Sequence, residues 1–508
     1  MTSPSRHGVH RAAAKGAGMM IVLRLGDRLI SVVSFSVLAR LLTPVDYGIF
    51  ALALSVIAIL ALAGDWGLDS VVVQRRGFDR SHYDTAWTVR LIAGAVVLAL
   101  VCIAAAPAAR IFAEPRIGPV LCWLALGTFI ASFENIGTVD FMKTLAYQRE
   151  LVYRLTIRVI VTSLAIALAF VWRSYWALVA AHVVASAAMV ALSYWMHPFR
   201  PRLSLSHASG MFWFTRWLFL RNVFQGINDQ AANIILGRGV GVGQLPFYTF
   251  ARDLSLIVAT DFYAPVRRAL FPAYASVSDD LSALKRLTLD SSALMMLIGL
   301  PMSAGLAVVA PDLVPVLLGE RWLQVTPLLQ IFCISACIGS GIAGAPVLYV
   351  AMGRPDTAAK LAAFRFVVLV TLVAVGVSAA GTLGAAWAMV ATACITQAVN
   401  WRIVGRSIDL SFSDVRRYLT RPIVASAMMV LAVLALQKML PDGHAFASSL
   451  LRLVACTLTG ALVYAVSLLA LWRLAGKPGG AERHILDLMA TAVRRVAFPL
   501  FRTSGPLR

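Results

Sequence analysis

Charge is scarce in this chain. Asp, Glu, Lys and Arg together make up 14% of its 508 residues, about half the share of a soluble globular domain. Acids are the scarcer sign, 24 against 45 Lys and Arg, which leaves a net charge of +21. The 8 His and 6 Cys are scattered. No paired CxxC and no HExxH occurs, so neither a metal nor another cofactor is expected. No GxxxxGK[ST] loop is present, which excludes an intrinsic ATPase. Asp279–Asp280 is an acidic pair but not a DxD sugar-nucleotide motif. No polar loop is long enough to house a glycosyl-transfer site. These absences point away from an enzyme. The cysteines lie within apolar runs and read as reduced core thiols, with Cys333 and Cys337 placed to share a helix face.

Apolar residues make up 60% of the chain and mean hydropathy is +0.80. A spanning helix needs about 20 mostly apolar residues. Fourteen such stretches are expected: 17–41, 46–66, 85–109, 118–139, 155–172, 175–196, 211–236, 244–266, 287–310, 324–350, 357–378, 382–403, 421–440 and 447–472. The basic segment 1–16 (Arg6, Arg11, Lys15) is expected to be retained. Cations gather on one side. The N-terminus, every second loop and the tail hold 30 Lys and Arg; the alternate loops hold 7. By the positive-inside rule both termini are cytoplasmic. That asymmetry accounts for most of the net charge without nucleic acid. The tail 473–508 is expected to carry an amphipathic surface helix over 481–501, and the segments Tyr147–Arg158 and His197–Ser209 read as amphipathic elbows.

The chain echoes itself. LARLLTPVDYGIFALALSV (38–56) parallels LGRGVGVGQLPFYTFARDL (236–254). FAEPRIGPVLCWLALG (112–127) parallels LGERWLQVTPLLQIFC (318–333), and LAYQR (145–149) parallels VAMGR (350–354). Helices 1–6 (17–196) would then repeat as helices 7–12 (211–403), with two helices at 421–472 appended. Six being even, the repeat is parallel, related by an axis along the membrane normal. The fold class expected is an all-α polytopic membrane protein of about fourteen spans, its two six-helix lobes facing a central cleft.

An ionised group at mid-membrane costs about 2.5–3.5 kcal/mol, so it marks function or a buried pair. Beyond the 37 cations assigned to the loops and termini, eight remain within the spans and all are Arg. Arg24, Asp27, Arg28 and Ser31 lie at i, i+3, i+4, i+7, one helix face. Arg221, Gln225, Asn228 and Asp229, with Asn222 beside them, form the matching stripe at the repeat offset. Arg's planar fork matches phosphate. Arg24, Arg28, Arg90, Arg221, Arg252 and Arg365 are therefore candidate ligands of an anion such as a diphosphate. Asp27, Ser31, Asn222, Gln225 and Asn228 are candidate polar cavity residues. Asp27, Asp229, Asp253 and Asp261 are candidates for coupling to H⁺ or Na⁺. The competing assignment is internal pairing, Arg24 or Arg28 with Asp27 and Arg252 with Asp253 or Asp261. Arg216 and Arg452, near span ends, are expected to snorkel to the interface.

The stretch LARLLTPVDYGIFALALSVIAI, followed by GLDSVVVQRR, resembles the Wzx-like polysaccharide exporters of the multidrug/oligosaccharidyl-lipid/polysaccharide exporter superfamily, and LLGERW…PLL (317–329) resembles their second half. The resemblance implies a MATE-like V-shaped bundle in a bacterial inner membrane. Its implied activity is flipping of undecaprenyl-diphosphate-linked oligosaccharide to the periplasmic leaflet by alternating access. It also implies a polymerase and chain-length machinery as partners, beside membrane lipids. Family members carry cations in the cavity, which Arg24, Arg28 and Arg90 match. Two alternatives stay open: a lipid II flippase for peptidoglycan, and a cation-coupled multidrug efflux transporter.

Overall fold

The computed structural model describes residues 26–28, 30–62, 79–143, 147–257, 262–278, 280–440 and 446–476. The segment 1–16, Arg24, Asp261, the GLDSVVVQRR motif and the expected surface helix at 481–501 lie outside them.

The described chain is helical, without a strand. Helix α1 covers residues 26–41 apart from residue 29. It is followed by α2 (Pro44–Ala61), α3 (Arg80–Ile111), α4 (Ile117–Ala131), α5 (Tyr147–Trp172), α6 (Trp176–Met196), α7 (Ala208–Gly239) and α8 (Leu245–Ser255). Then come α9 (Ala264–Ser276), α10 (Leu281–Leu318), α11 (Val325–Gly339), α12 (Ala345–Ala351), α13 (Pro355–Ser407), α14 (Phe412–Met439) and α15 (Phe446–Leu474). Among the described residues nine helical stretches are long and apolar enough to cross a membrane. On α15, Leu451, Leu458, Leu462 and Val466 are each more than half exposed. Such a stripe is a liability in water but the natural solvent face in lipid. The chain is a multi-pass membrane protein.

Local chemistry places the breaks. Thr43 caps α2 with a reciprocal box: Asp46 N donates to Thr43 Oγ1 and Thr43 N donates to the Asp46 carboxylate at 3.0 Å. Pro44 at the first helical position needs no donor there. Ser411 and Asp414 repeat the box on α14, and Lys285 sits 2.7 Å from Asp414. Expected span 118–139 ends early, at Ala131, because Asn135 caps a separate 3-10 turn at Ile136–Val139. Span 244–266 is broken, with α8 ending at Ser255 and Pro265 starting α9. Span 324–350 divides into α11 and α12.

The expected pair 357–378 and 382–403 appears as α13, which turns back at Ala380–Gly381. Gly381 has φ +58°, which a side chain resists. Gly376 and Gly384 bring the two arms into backbone contact; a Cβ on Gly384 would stand 2.6 Å from the Gly376 carbonyl carbon.

Contacts divide the chain into two compact units. The first is Met1–Phe250 with Leu317–Leu323 and Val373–Ala385; the second is Ala251–Val316, Gln324–Leu372 and Ala386–Arg508. Within the first unit, one end gathers the cation-poor turns. The Trp322 indole donates to Ala39 O at 2.8 Å and Ser36 Oγ to Leu317 O at 2.5 Å. Tyr175 N donates to Asp46 at 3.0 Å, and Arg238 donates to Ile111 O. Phe35, Tyr47, Phe247 and Phe250 pack edge-on or tilted around Trp322, which is fully buried. The two echoing turns meet here: a Cβ on Gly48 would collide with Val242 backbone and touch Pro246. Arg116 donates to Glu114 at 2.7 and 2.9 Å and holds that carboxyl below its ordinary range.

In the second unit the core gathers Tyr274, Met295, Leu348, Tyr349 and Val404 from α9, α10, α12 and α13. Asp312 pairs with Arg452 at 3.4 Å and accepts from Gln437 at 3.1 Å, tying α10 to α14 and α15. Arg452, expected to snorkel, thus has its counter-charge from an acid within the same unit.

Because of the α13 backbone contact, Gly384→Leu is expected to abolish the monodisperse folded protein in size-exclusion chromatography of detergent extracts. Gly243→Ala, where only Val45 lies at 3.6 Å, is expected to elute as wild type.

Candidate functional site

The first unit contains a cavity of about 550 Å³ lined by ionisable groups: Asp27 of α1, Arg90 of α3, Glu134 of the turn after α4, and Glu150, Arg154 and Arg158 of α5. Helix α5 explains half of it. Positions 150, 154 and 158 recur at i, i+4 and i+8 and stack on one face. Arg154 Nε donates to Glu150 Oε1 at 2.9 Å. One turn further, Arg158 Nε lies 3.1 Å from Asp27 Oδ1, and its NH2 donates to Ser31 Oγ at 2.5 Å. Ser31 Oγ donates in turn to Asp27 O at 2.6 Å.

Arg90 anchors the other wall. Its Nε donates to Ser132 O at 3.3 Å and its NH2 to Glu134 O, and its NH1 lies 3.7 Å from the Glu134 carboxylate. Tyr153 donates its hydroxyl to Glu134 Oε1 at 2.5 Å. Three guanidinium groups and three carboxylates thus share one cavity. The pairs differ in exposure. Arg90 and Glu134 side chains are 24% and 21% exposed, Arg158 and Asp27 41% and 50%. Breaking the drier pair is the more expensive step.

The structure sorts the candidates. Asp27, Ser31 and Arg90 come together at this cavity or its pairs. Arg28 is half-buried on α1. Asp27 pairs with Arg158 across two helices; the competing assignment had been a pair with Arg24 or Arg28. Gln225 and Asp229 are exposed and bond each other at 2.9 Å; Asn222 and Asn228 are half-buried on the same helix. The side chains of Arg216 and Arg221 lie outside the described residues. Arg252 pairs with Asp253 at 3.4 Å, the internal pairing foreseen as the alternative. Arg365 lines a different cavity, in the second unit.

Sequence reasoning missed Arg154, Arg158, Glu134, Glu150 and Tyr153. Tyr147–Arg158 was expected to be a surface elbow and its cations loop charges. It is the start of α5, because Glu150 and Arg154 satisfy each other along the helix and let it begin before the apolar run. The Glu-x₃-Arg-x₃-Arg spacing was the available signal. The second expected elbow, His197–Ser209, is also not an amphipathic helix. Its backbone is without regular secondary structure to residue 205 and tied down: Arg202 N donates to Asp84 Oδ1 at 2.8 Å, Ser204 N to Thr88 Oγ1 at 2.9 Å, and Asn135 Nδ2 to Phe199 O at 2.8 Å.

This helical fold is similar to that of known membrane transporters. It matches a lipid II flippase, MurJ, in an inward closed conformation with TM-score 0.71 at 12% identity, covering 89% of this chain and 99% of that one. An inward-facing multidrug resistance MATE family transporter of the MOP superfamily matches with TM-score 0.56 at 16% identity, covering 75% and 94%. By sequence, the chain is similar to the lipopolysaccharide biosynthesis protein WzxC of Escherichia coli (strain K12), 23% identical over 379 residues, 73% of this chain and 76% of that one. It is also similar to the succinoglycan biosynthesis transport protein ExoT of Rhizobium meliloti (strain 1021), 22% identical over 491 residues, 96% and 97% of the two chains. The polysaccharide biosynthesis protein family model matches residues 37–327. The chain belongs to that family, which bears out the resemblance carried by the 38–76 and 317–329 stretches.

A double-mutant cycle with Asp27→Asn and Arg158→Gln, read by unfolding in mixed SDS micelles, is expected to give a coupling below about 1 kcal/mol, the range of half-exposed pairs. A coupling above about 3 kcal/mol, the range for breaking buried pairs, would make this pair a structural brace.

Proposed function

We propose that the protein is a flippase that moves polyprenyl-diphosphate-linked oligosaccharide repeat units from the cytoplasmic to the periplasmic leaflet for surface polysaccharide synthesis. The observation that carries this reading is the cavity holding Arg90, Arg154 and Arg158 inside a multi-pass member of the polysaccharide biosynthesis family. The relatives named for lipopolysaccharide and succinoglycan biosynthesis support the substrate class.

The exposure difference assigns roles. Arg158 gives up little on leaving Asp27, since a half-exposed pair contributes about 0–1 kcal/mol. A charge-assisted hydrogen bond to phosphate contributes about 1.5–3 kcal/mol. Exchange of the carboxylate for a diphosphate oxygen is therefore downhill. Arg154 can keep Nε on Glu150 and present its remaining donors. Arg90, tied to two backbone carbonyls and Glu134, holds the wall in place. Arg24 and Arg28, close to Asp27 in the sequence, are proposed as further ligands of the same anion. A cation, H⁺ or Na⁺, that occupied Asp27 would release Arg158, which gives ion coupling a route.

The remaining parts of the reading follow from charge. The cation-rich loops set both termini in the cytoplasm of a bacterial inner membrane. Lobes 17–196 and 211–403 alternate access, and a polymerase takes the product. Export also runs with the field: an anionic charge moving outward gains about 2.3 kcal/mol per 100 mV.

In cells lacking the gene, a plasmid carrying Arg158→Gln is expected to restore less than about a tenth of surface polysaccharide, the effect of losing one charged bond to phosphate. Lipid-linked oligosaccharide should accumulate in the membrane fraction. Wild-type export by Arg158→Gln at equal protein level would remove the cavity from the mechanism.

A further inference from the structure

The second unit holds a separate polar cavity of about 320 Å³. That volume is at the small end of the range for ligand sites, about 300–1,000 Å³. One wall is the second arm of α13. Thr392, Thr396 and Asn400 recur there at i, i+4 and i+8, with Gln397 beside them, on a single face.

The hydrogen bonds these residues already make determine what is left for a ligand. Thr392 Oγ1 donates to Ala388 O and Thr396 Oγ1 to Thr392 O, each at 2.7 Å. Both hydroxyls thereby keep oxygen lone pairs as acceptors. Gln397 Nε2 donates to Ile338 O at 3.0 Å and Gly339 O at 3.2 Å, which leaves its carbonyl oxygen to accept. Asn400 Oδ1 accepts from Tyr349 at 3.2 Å, which leaves its amide NH₂ to donate. The wall offers acceptors and a donor side by side. A phosphate oxygen can only accept from such groups. A sugar hydroxyl both donates and accepts, and it fits both kinds.

A second, independent feature sits on the facing helix α10. Ser303 lines the same cavity, is 1% exposed, and its hydroxyl meets no hydrogen-bond partner among the described residues. An unsatisfied buried hydroxyl costs about 1–3 kcal/mol. It persists here at the wall of a polar cavity, where a bound hydroxyl would satisfy it. Met389 and Pro346 supply apolar surface for the C–H faces of a ring, and Arg267 and Arg365 supply further donors.

We infer that this cavity is a carbohydrate subsite that binds sugar units of the lipid-linked substrate. It rests on the flippase reading for the carrier of those sugars. Arg365, grouped by sequence with the diphosphate ligands, belongs to sugar recognition.

The test uses the full chain in lipid nanodiscs and two probes. One is the polyprenyl-diphosphate oligosaccharide pool extracted from the source bacterium lacking this gene; the other is undecaprenyl diphosphate without sugar. Wild type is expected to bind the sugar-bearing pool at least about tenfold more tightly, the effect of two net hydrogen bonds. Ser303→Ala/Thr396→Val should lose most of that preference while binding the bare lipid like wild type; Ser303→Ala alone covers the case of a misfolded double variant. Equal binding of the two probes by wild type, or an undiminished preference in the variants, overturns the subsite alone. Binding of neither probe by wild type overturns the flippase reading and the subsite together.

Discussion

A guanidinium inside a bilayer has to meet an anion or water, and the first unit is arranged around that requirement. Arg90, Arg154 and Arg158 each lie against a carboxylate, from the turn after α4, from α5 itself and from α1. These pairs let α5 carry charge into the span. They also join α1, α3 and α5 through polar contacts that differ in strength. Where the pair is dry and backed by backbone carbonyls, it braces. Where it is half-exposed, it can be exchanged for the anion of a substrate. On the proposed reading, a resident carboxylate keeps a phosphate-binding arginine tolerable while the site is empty.

The opposite chemistry closes the cation-poor end of the same unit. There the contacts are aromatic packing around Trp322 and short bonds to backbone carbonyls, with glycine at the closest approach. The uncharged contacts among these separate without leaving a charge in lipid. In the second unit, Asp312 and Arg452 form one of several ion pairs, and the cavity sets neutral amides and hydroxyls beside Arg267 and Arg365, with no carboxylate in its lining. On the proposed readings the two cavities divide the recognition: ion exchange in one, hydroxyl pairing in the other. A lipid-linked glycan carries both groups.

Much of this architecture is legible in the sequence. Apolar runs located the helices, and the all-α class follows from them. The turn at Ala380–Gly381 fell in the gap between two expected spans, because glycine is needed there. The echo between 38–56 and 236–254 matches two turns that pack together at Gly48 and Val242. The candidate site was only partly readable. Asp27, Ser31 and Arg90 stood out because a charge or hydroxyl in an apolar run is conspicuous. Arg154 and Arg158 did not, since at the edge of a run they look like ordinary loop cations. Only the i, i+4 reach of Glu150 to Arg154 shows that the helix starts early. Pairing across helices, such as Arg158 with Asp27 at a separation of more than a hundred residues, has no local signature. Neither does an unsatisfied hydroxyl such as that of Ser303, whose meaning depends on what surrounds it.

Native mass spectrometry of the full chain, purified in mild detergent from cells that make the polysaccharide, tests the central claim most directly. The account predicts a co-purifying polyprenyl-diphosphate lipid on wild type, absent from Arg154→Gln/Arg158→Gln at equal folded yield. The same lipid retained on both proteins would contradict it and place the diphosphate elsewhere.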